Sequence, residues 1–261
     1  MCFPYNAAPP DLPAGLALAP IGGGAPADLL ELTAADGTHY AAALAEVPET
    51  DATGVVILPD VRGLAPFYVE LAERFAQAGH PAIAIDYFGR TAGSTVREEG
   101  FDYMAHVLRT SVAQIQGDAL AARDALLERT GPRPVVAVGF CFGGLHAFLA
   151  AASPELDFAG VVGFYGALDG SKRGLPSPPD VASEMRCPVL GLFGGDDRSI
   201  SADQVAGFGR ALQDAGVDHQ ILVYPDAPHS FFDRSYERFA DASADAWERT
   251  LAFIDRVAAE R

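Results

Sequence analysis

Val135-Val136-Ala137-Val138-Gly139-Phe140-Cys141-Phe142-Gly143-Gly144 is the stretch of sequence that decides the fold. It begins as a continuous apolar run, which is typical of a strand buried on both faces of a parallel sheet. It continues as Gly-x-Cys-x-Gly and a helix start, the pattern of a sharp strand-to-helix turn that displays a nucleophile. Gly139 and Gly143 leave room in that turn for the strained residue between them. Cys141 is therefore the predicted nucleophile, because the N-terminus of a helix favours thiolate over thiol.

Strands and helices alternate on both sides of this stretch. Strands are predicted at residues 29–33, 39–45, 55–59, 82–86, 135–139, 160–164, 189–193 and 220–224, and helices at 67–78, 119–130, after Gly143, at 202–215 and at 240–259. The alternation predicts a doubly wound α/β fold, with a mostly parallel eight-stranded sheet and helices on both faces. Residues 1–27, rich in Pro, Ala and Gly, are predicted to form an N-terminal arm. Residues 28–261 are predicted to form a single catalytic domain.

An excess of acidic residues gives the 261-residue chain a net charge of −17. This charge repels phosphate backbones and anionic lipid, so neither nucleic acid nor a membrane is expected as a partner. It also repels small anions at long range, so an anionic substrate would need arginines close to its binding site. No apolar run reaches the roughly 18 residues that a membrane-spanning helix requires.

The three cysteines, Cys2, Cys141 and Cys187, are widely spaced and odd in number. This spacing predicts neither a disulfide framework nor a zinc site. Reduced thiols favour a cytoplasmic location. We expect no metal and no cofactor, and the sequence leaves monomer and homodimer open. For Cys141 the alternative to catalysis is a buried structural thiol, since free cysteine is among the most buried residue types.

Two later segments place an acid and a histidine after predicted strands. One strand runs into Gly194-Gly195-Asp196-Asp197, and the last runs into Pro225-Asp226-Ala227-Pro228-His229. The order nucleophile, acid, histidine leaves room for one strand–helix unit in each gap, which favours His229 as the base and Asp197 as the acid that orients it. Asp196 is only weakly separated from Asp197. The alternatives are a turn or helix cap for the acid and a loop residue for the histidine.

The loop after the third strand, Pro59-Asp60-Val61-Arg62-Gly63, carries another predicted part of the site. In this kind of fold that loop supplies one backbone N–H to an oxyanion hole, and the residue after the nucleophile supplies the other. The predicted donors are the amides of Val61 and Phe142. An ordinary turn is the alternative interpretation of Pro59-Asp60.

Taken together, these segments resemble the dienelactone hydrolase (carboxymethylenebutenolidase) family of the α/β-hydrolase superfamily. The resemblance rests on residues 139–144, residues 194–197 and Pro228-His229-Ser230-Phe231-Phe232, and it extends over roughly residues 29–257. It implies a catalytic triad of Cys141, Asp197 and His229. It also implies that the sharp turn carrying the nucleophile, called the elbow, follows the fifth strand. Cys141 stands at that place in the predicted order.

The resemblance further implies an acid associated with the nucleophile and residues that bind the substrate. The acid is a glutamate in the family, and the shorter Asp60 stands at that position here. Arg90 matches a family arginine that binds the substrate carboxylate, and Tyr165 matches a family aromatic residue. At the position of a second family arginine, this chain has Asp233 instead. An acid there would repel a substrate carboxylate, unless the loop shifts and Arg234 takes over the role.

These residues predict hydrolysis of a small-molecule ester or lactone through a thioester acyl-enzyme. A thiolate leaves more readily than an alkoxide, so an adduct on a plain alkyl ester would tend to expel sulfur. An activated ester or an enol-lactone of the dienelactone type is therefore the expected substrate. The alternatives are a general carboxylesterase or thioesterase on the same triad and, from another class, a reactive-cysteine binding or redox-sensing protein without turnover.

Overall fold

A central sheet organises the chain in the computed structural model, which describes residues 6–16, 26–233 and 235–260. Its strands are β1 (Asp28–Thr33), β2 (His39–Ala45), β3 (Gly54–Leu58), β4 (Ala82–Ile85), β5 (Val135–Phe140), β6 (Gly160–Phe164), β7 (Val189–Gly194) and β8 (His219–Tyr224). They lie in the order β1-β2-β4-β3-β5-β6-β7-β8. The β1–β2 and β2–β4 pairs are antiparallel, and the pairs from β4 through β8 are parallel. The predicted α/β fold with a mostly parallel eight-stranded sheet is confirmed.

Helices cover both faces of this sheet. They are α1 (Pro66–Gln77), α2 (Gly89–Ala92), α3 (Tyr103–Val107), α4 (Val112–Thr130), α5 (Phe142–Ala150), α6 (Ala202–Asp214) and α7 (Ala240–Ala259). In β6, Gly160 lies against Phe253 of α7, whereas Gly163 lies against Phe148 of α5. Positions an odd number of residues apart on a strand point to opposite faces, so α5 and α7 lie on opposite sides of the sheet.

The strongest departures from the sequence prediction are a longer α4 and two short helices between β4 and α4. Helix α4 begins at Val112, ahead of the predicted start at 119, and a capping box at Ser111 fixes that start. The Gln114 amide donates to Oγ of Ser111 at 3.3 Å, and the Gln114 side chain accepts from the Ser111 amide at 3.0 Å. The short helices α2 and α3 each span too few residues to show a helical period in the sequence.

A buried ion pair fixes the long connection that follows β4. Arg97 donates to the carboxylate of Asp86 from Nε at 3.0 Å and from Nη2 at 2.6 Å. The same carboxylate accepts the amides of Leu64 at 3.2 Å and Phe88 at 2.7 Å. A fully paired buried carboxylate avoids the penalty of an uncompensated charge. The connection is thereby tied to the loop after β3, on which part of the predicted site depends.

Part of the predicted N-terminal arm packs on the C-terminal part of the chain. The indole N–H of Trp247 in α7 donates to the Pro10 carbonyl at 3.1 Å, and the Ala8 amide donates to Asp233 at 3.3 Å. The boundary at residue 27 stays a prediction. Among the described residues, no helix is both long and apolar enough to cross a bilayer.

Candidate active site

The candidate active site lies at the carboxyl edge of the sheet, where the neighbouring parallel strands β5, β6, β7 and β8 end. The predicted site residues that follow these strands are, in the same order, Cys141, Tyr165, Asp197 and His229. Because the carboxyl ends of parallel strands meet at one edge, residues far apart in sequence come together there. The structure therefore gathers four of the predicted residues at one edge.

Cys141 occupies a strained turn between β5 and α5. Its φ is 53° and its ψ is −106°, a conformation that costs a non-glycine residue about 1–3 kcal/mol. The Cys141 amide donates to the Phe164 carbonyl at 2.9 Å, which ties the turn to the end of β6. The residue is partly exposed and is not in a disulfide. This geometry favours a displayed nucleophile, at a helix N-terminus that stabilises a thiolate, over a core thiol.

Two glycines allow the turn to touch the neighbouring strand. A Cβ on Gly139 would lie 2.1 Å from the Gly143 carbonyl oxygen, and one on Gly143 would lie 2.0 Å from that of Leu58 at the end of β3. The start of α5 is thus in backbone contact with the segment that leads to Val61. Both Val61 and Phe142 are buried. The two amides predicted to form an oxyanion hole therefore belong to segments that touch.

The imidazole of His229 is oriented by Asp197. Its Nδ1 lies 2.6 Å from Oδ2 of Asp197, and Oδ1 accepts the amides of Ser199 at 2.7 Å and Ile200 at 3.3 Å. Burial alone would raise the pKa of Asp197, but the bond to His229 and the two amide bonds hold that pKa below its ordinary value. Asp196 is exposed. Of the two acids, Asp197 is the one whose geometry fits the predicted role.

Tyr165 packs against that imidazole. Its ring centroid lies 5.0 Å from that of His229, and its φ of 39° places it, like Cys141, in a strained conformation. Burial, followed by electrostatic interaction with Asp60 and Cys141, raises the pKa of Tyr165 well above its ordinary value. The phenol ring thus lies beside the histidine. Because Tyr165 is fully buried, its predicted role in substrate binding stays a prediction.

The carboxylate of Asp60 is engaged within its own loop. Nε of Arg62 lies 3.0 Å from both carboxylate oxygens, and Nη2 lies 2.9 Å from Oδ2. The Asp60 amide donates to the hydroxyl of Tyr68 at 3.0 Å, and the Arg62 amide donates back to Asp60 at 2.9 Å. These bonds fix the conformation of the turn that carries Val61. They leave Asp60 paired with Arg62, and its predicted association with the nucleophile stays a prediction.

Arg90, one of the two arginines predicted to bind substrate, is held by two acids. Arg90 forms a bidentate pair with the buried Asp118 at 2.7 and 2.9 Å and a further bond to Asp36 at 2.8 Å. Asp36 belongs to the β1–β2 turn, and three strands lie between β1 and β5. A substrate carboxylate at Arg90 would have to compete with two aspartates. Arg234 lies outside the described residues.

Asp233, the departure from the family pattern, is buried and faces inward. Oδ1 accepts the amides of Ala8 at 3.3 Å and Ser235 at 2.9 Å, and Oδ2 accepts the Ser235 hydroxyl at 2.8 Å. Buried carboxylates need such partners. The acid therefore anchors the N-terminal segment to the loop after His229.

Two residues beside Phe142, His146 and Arg173, were not predicted from the sequence. The ring of the buried His146 lies 4.5 Å from that of Phe142, and Cζ of Arg173 lies 5.4 Å from the centroid of the Phe142 ring. Burial, and then the charge of Arg173, lower the pKa of His146 to about 3. A signal was present: Lys172-Arg173 is the only pair of adjacent cations in the sequence, and it lies in the long connection after β6.

Comparison with known proteins gives consistent results. The model of the dienelactone hydrolase family matches residues 40–258. A Yersinia pestis protein named "Putative carboxymethylenebutenolidase" is 34% identical over 206 residues, covering 76% of this chain and 75% of its own. An Escherichia coli K12 protein of the same name is 31% identical over 210 residues, covering 77% and 75%. A crystal structure titled "Putative Dienelactone Hydrolase", from Klebsiella pneumoniae, superposes with a TM-score of 0.76 at 28% identity, covering 88% of this chain and 98% of its own.

Proposed function

Because this chain belongs to the dienelactone hydrolase family, we propose that it hydrolyses an activated ester or an enol-lactone through Cys141, His229 and Asp197. The observation that carries the proposal is the 2.6 Å bond between His229 and Asp197, at the sheet edge where Cys141 stands on its strained turn. An orienting acid fixes the tautomer and direction of a catalytic imidazole.

The proposed reaction runs in two halves. The thiolate of Cys141 attacks the carbonyl carbon, and the oxyanion accepts hydrogen bonds from the amides of Val61 and Phe142. The adduct collapses with cleavage of the C–O bond, and the departing oxygen takes a proton from the His229 imidazolium, which leaves a thioester. His229 then removes a proton from water, whose oxygen attacks the thioester. Expulsion of the Cys141 thiolate releases the carboxylic acid.

A cysteine nucleophile in place of a serine narrows the range of esters that the site can cleave. A thiol has a pKa of about 8.5, far below that of an alkyl alcohol, so sulfur is the better leaving group from an adduct on a plain alkyl ester. Forward collapse requires a leaving group that competes with the thiolate, such as an enolate or a phenolate. An enol-lactone or an aryl ester meets that requirement, whereas an ethyl ester does not.

The test compares wild type with Cys141→Ala and Cys141→Ser on an enol-lactone, an aryl ester, an ethyl ester and a thioester. We expect wild type to turn over the enol-lactone and the aryl ester many times and to hydrolyse the ethyl ester far more slowly. Cys141→Ala should lose about 10³-fold or more in kcat, because a whole covalent step is lost. Mass spectrometry of the wild-type enzyme during turnover should detect the thioester.

Each alternative function has its own result in this experiment. A Cys141→Ala variant as active as wild type would refute the covalent mechanism. A preference of wild type for the ethyl ester would refute the substrate assignment alone, and a preference for the thioester would favour a thioesterase. A thiol that reacts once with the lactone and releases no product would favour a sensor or binding protein.

A further inference from the structure

Two buried tyrosines hold one peptide unit of the loop after β3. The Tyr87 hydroxyl donates to the Pro59 carbonyl at 2.9 Å, and the Asp60 amide donates to the Tyr68 hydroxyl at 3.0 Å. The carbonyl and the N–H of the peptide between Pro59 and Asp60 are thus each bonded to a phenol, and both phenols are buried. Since a peptide unit is planar, this one cannot rotate without breaking a buried hydrogen bond.

The next peptide unit carries one of the proposed oxyanion donors. It joins Asp60 to Val61, and its carbonyl accepts the Gly63 amide at 3.1 Å. This peptide is trans, so its N–H points away from its C=O. The bond to Gly63 therefore directs the Val61 N–H to the opposite side. Two consecutive peptide units that lead to the proposed donor are fixed, one by the phenols and the other by the turn.

Tyr87 also contacts the segment that carries the second proposed donor. Its ring centroid lies 5.5 Å from that of Phe142, with an interplanar angle of 84°, the edge-to-face arrangement that aromatic pairs prefer. The Pro59 carbonyl to which it donates lies against α5, because a Cβ on Gly143 would come within 2.4 Å of that oxygen. One side chain thus joins the loop after β3 to the start of α5. A shift of Tyr87 would alter the spacing between the two donors.

The position and the protonation of Tyr87 are themselves fixed. It directly follows Asp86, whose carboxylate is paired with Arg97 and whose amide donates to the Ala41 carbonyl at 2.9 Å. Burial, followed by electrostatic interaction with Asp60 and Asp86, raises the pKa of Tyr87 well above its ordinary value. The hydroxyl therefore keeps its proton at neutral pH and remains a hydrogen-bond donor.

We infer that Tyr87 is a positioning residue for the oxyanion hole, through its hydroxyl on the loop after β3 and its ring on Phe142. This inference rests on the proposed function, because an oxyanion forms only if Cys141 attacks a carbonyl. The amides of Val61 and Phe142 make the bonds to the oxyanion, and Tyr87 holds them in place. Because those bonds form in the transition state, loss of the Tyr87 hydroxyl lowers kcat and leaves KM nearly unaltered.

The chain offers a matched control for this hydroxyl. Tyr87→Phe removes the hydroxyl and keeps the ring that packs on Phe142. In Tyr40→Phe the lost bond is of the same kind, because the buried Tyr40 hydroxyl donates to the Asp118 carbonyl at 2.7 Å. Tyr40 lies in β2, and two strands separate β2 from β5, which leads to Cys141. Each variant loses one buried hydrogen bond, so Tm should fall by a similar amount in both, roughly 2–8 °C.

Three measurements separate an effect on the oxyanion from an effect on the nucleophile. Kinetics on an aryl ester that carries no carboxylate give kcat and KM. A trifluoromethyl ketone gives an affinity that depends on the oxyanion hole, because the Cys141 thiolate adds to its carbonyl carbon and the electron pair of the C=O bond moves to oxygen. Iodoacetamide gives the reactivity of the thiolate alone, because sulfur displaces iodide at a saturated carbon and no oxyanion forms.

We expect Tyr87→Phe to lower kcat about 10- to 100-fold, with KM within about threefold of wild type, and to weaken binding of the ketone by a similar factor. Its rate of alkylation by iodoacetamide should stay within about twofold of wild type, because alkylation follows the thiolate. Tyr40→Phe should keep kcat, ketone affinity and alkylation within about twofold of wild type. Tyr68→Phe removes the acceptor at the other end of the same peptide and should lower kcat and ketone affinity. It decides the case if Tyr87→Phe does not fold.

Several results would overturn the inference. Tyr87→Phe could keep the wild-type kcat and ketone affinity, or Tyr40→Phe could lose as much activity as Tyr87→Phe. Alkylation could fall as far as hydrolysis, and the tyrosine would then act on the nucleophile and not on the oxyanion. Failure of the proposed function looks different, because Cys141→Ala would then hydrolyse the aryl ester as fast as wild type. If wild type neither hydrolysed the ester nor bound the ketone, both proposals would be wrong.

Discussion

Backbone strain is concentrated at three residues of the candidate site. Cys141, Tyr165 and Ser230 have φ values of 53°, 39° and 60°, and none of them is a type that adopts this region readily. Each such conformation costs about 1–3 kcal/mol and persists only where surrounding bonds impose it. Here the Tyr165 amide donates to the Leu192 carbonyl at 2.7 Å, so β7 holds the residue in place. Neighbouring strands thus fix the directions of the side chains that must meet.

Asp197, the acid of the proposed triad, leads to a prediction about how the free energy of unfolding depends on pH. The pKa of Asp197 is lowered in the folded protein, so the stabilisation it contributes is fully present above the pKa of an unfolded aspartate, about 3.9. That contribution is lost as the pH falls through the lower folded-state value. We expect Asp197→Asn to reduce the free energy of unfolding by about 1.5–3 kcal/mol at pH 6–8. The deficit should shrink below pH 4, as measured by urea unfolding at each pH.

Asp196→Asn is the control for this prediction. Asp196 is adjacent in sequence and exposed, and a surface carboxylate of this kind contributes little to stability. Its variant should follow the wild-type pH curve within about 0.5 kcal/mol. A deficit in Asp197→Asn that stays constant down to pH 2 would mean that its cause is lost packing and not the charged pair.

At the scale of elements, the sequence was informative wherever a local pattern decides the structure. All eight strands were predicted, because buried parallel strands appear as apolar runs bounded by glycine, proline or acids. The elbow was predicted because its glycines are required at fixed offsets from Cys141. The start of α4 was missed because residues 112–118 combine polar residues with Gly117, and the capping signal at Ser111 was overlooked.

Side-chain partners across elements could not be predicted in this way. The position of Arg90 after β4 matches a family binding residue, yet its pairing depends on Asp118 and Asp36, which come from other elements. The stacking of Arg173 on Phe142 joins two connections of the sheet. Neither contact has a sequence period or a motif. Such contacts follow from tertiary packing, which a single sequence does not reveal.

The close approach of α5 to β3 predicts how Gly143→Ala changes stability and activity. A Cβ on Gly143 would lie 2.0 Å from the Leu58 carbonyl oxygen and 2.4 Å from that of Pro59, so Gly143→Ala must push the elbow away from the loop that carries Val61. We expect a loss of about 1–3 kcal/mol or more in the free energy of unfolding. We also expect a fall of about 10²-fold in kcat, because displacements near 1 Å misalign a reacting group. Thermal melting and aryl-ester kinetics measure the two effects.

Gly117→Ala is the matched control, because the same substitution is made where space is open. Gly117 lies inside α4, and a Cβ there would meet nothing within 4 Å. Alanine in a helix interior is favoured over glycine by about 0.8–1 kcal/mol. This variant should therefore raise Tm and keep wild-type kinetics. If Gly143→Ala behaved in the same way, the elbow would be more adaptable than the structure indicates.

At the scale of the whole molecule, the N-terminal segment bears on where the folded unit begins. The sequence predicts an arm up to residue 27 and a domain from residue 28, whereas Ala7, Pro9 and Pro10 are buried. These residues lie near the loop that follows His229, because Asp233 of that loop accepts the Ala8 amide. The N-terminal segment thus covers a buried acid in the loop after His229.

Deletion of residues 1–16 tests whether this segment belongs to the folded unit. The deletion removes the bonds from Ala8 to Asp233 and from Trp247 to Pro10, each worth about 1 kcal/mol, and it uncovers apolar surface on Trp247. We expect a total loss of about 2–4 kcal/mol, which lowers Tm by roughly 5–15 °C in a chain of this size. Trp247→Phe removes the indole donor and also leaves a cavity against Phe75 and Phe232, so its Tm should fall by more than the roughly 2–4 °C expected for one hydrogen bond. An unchanged Tm after the deletion would instead make residues 1–16 a separable appendage, because no part of the cooperative unit would then depend on the buried prolines.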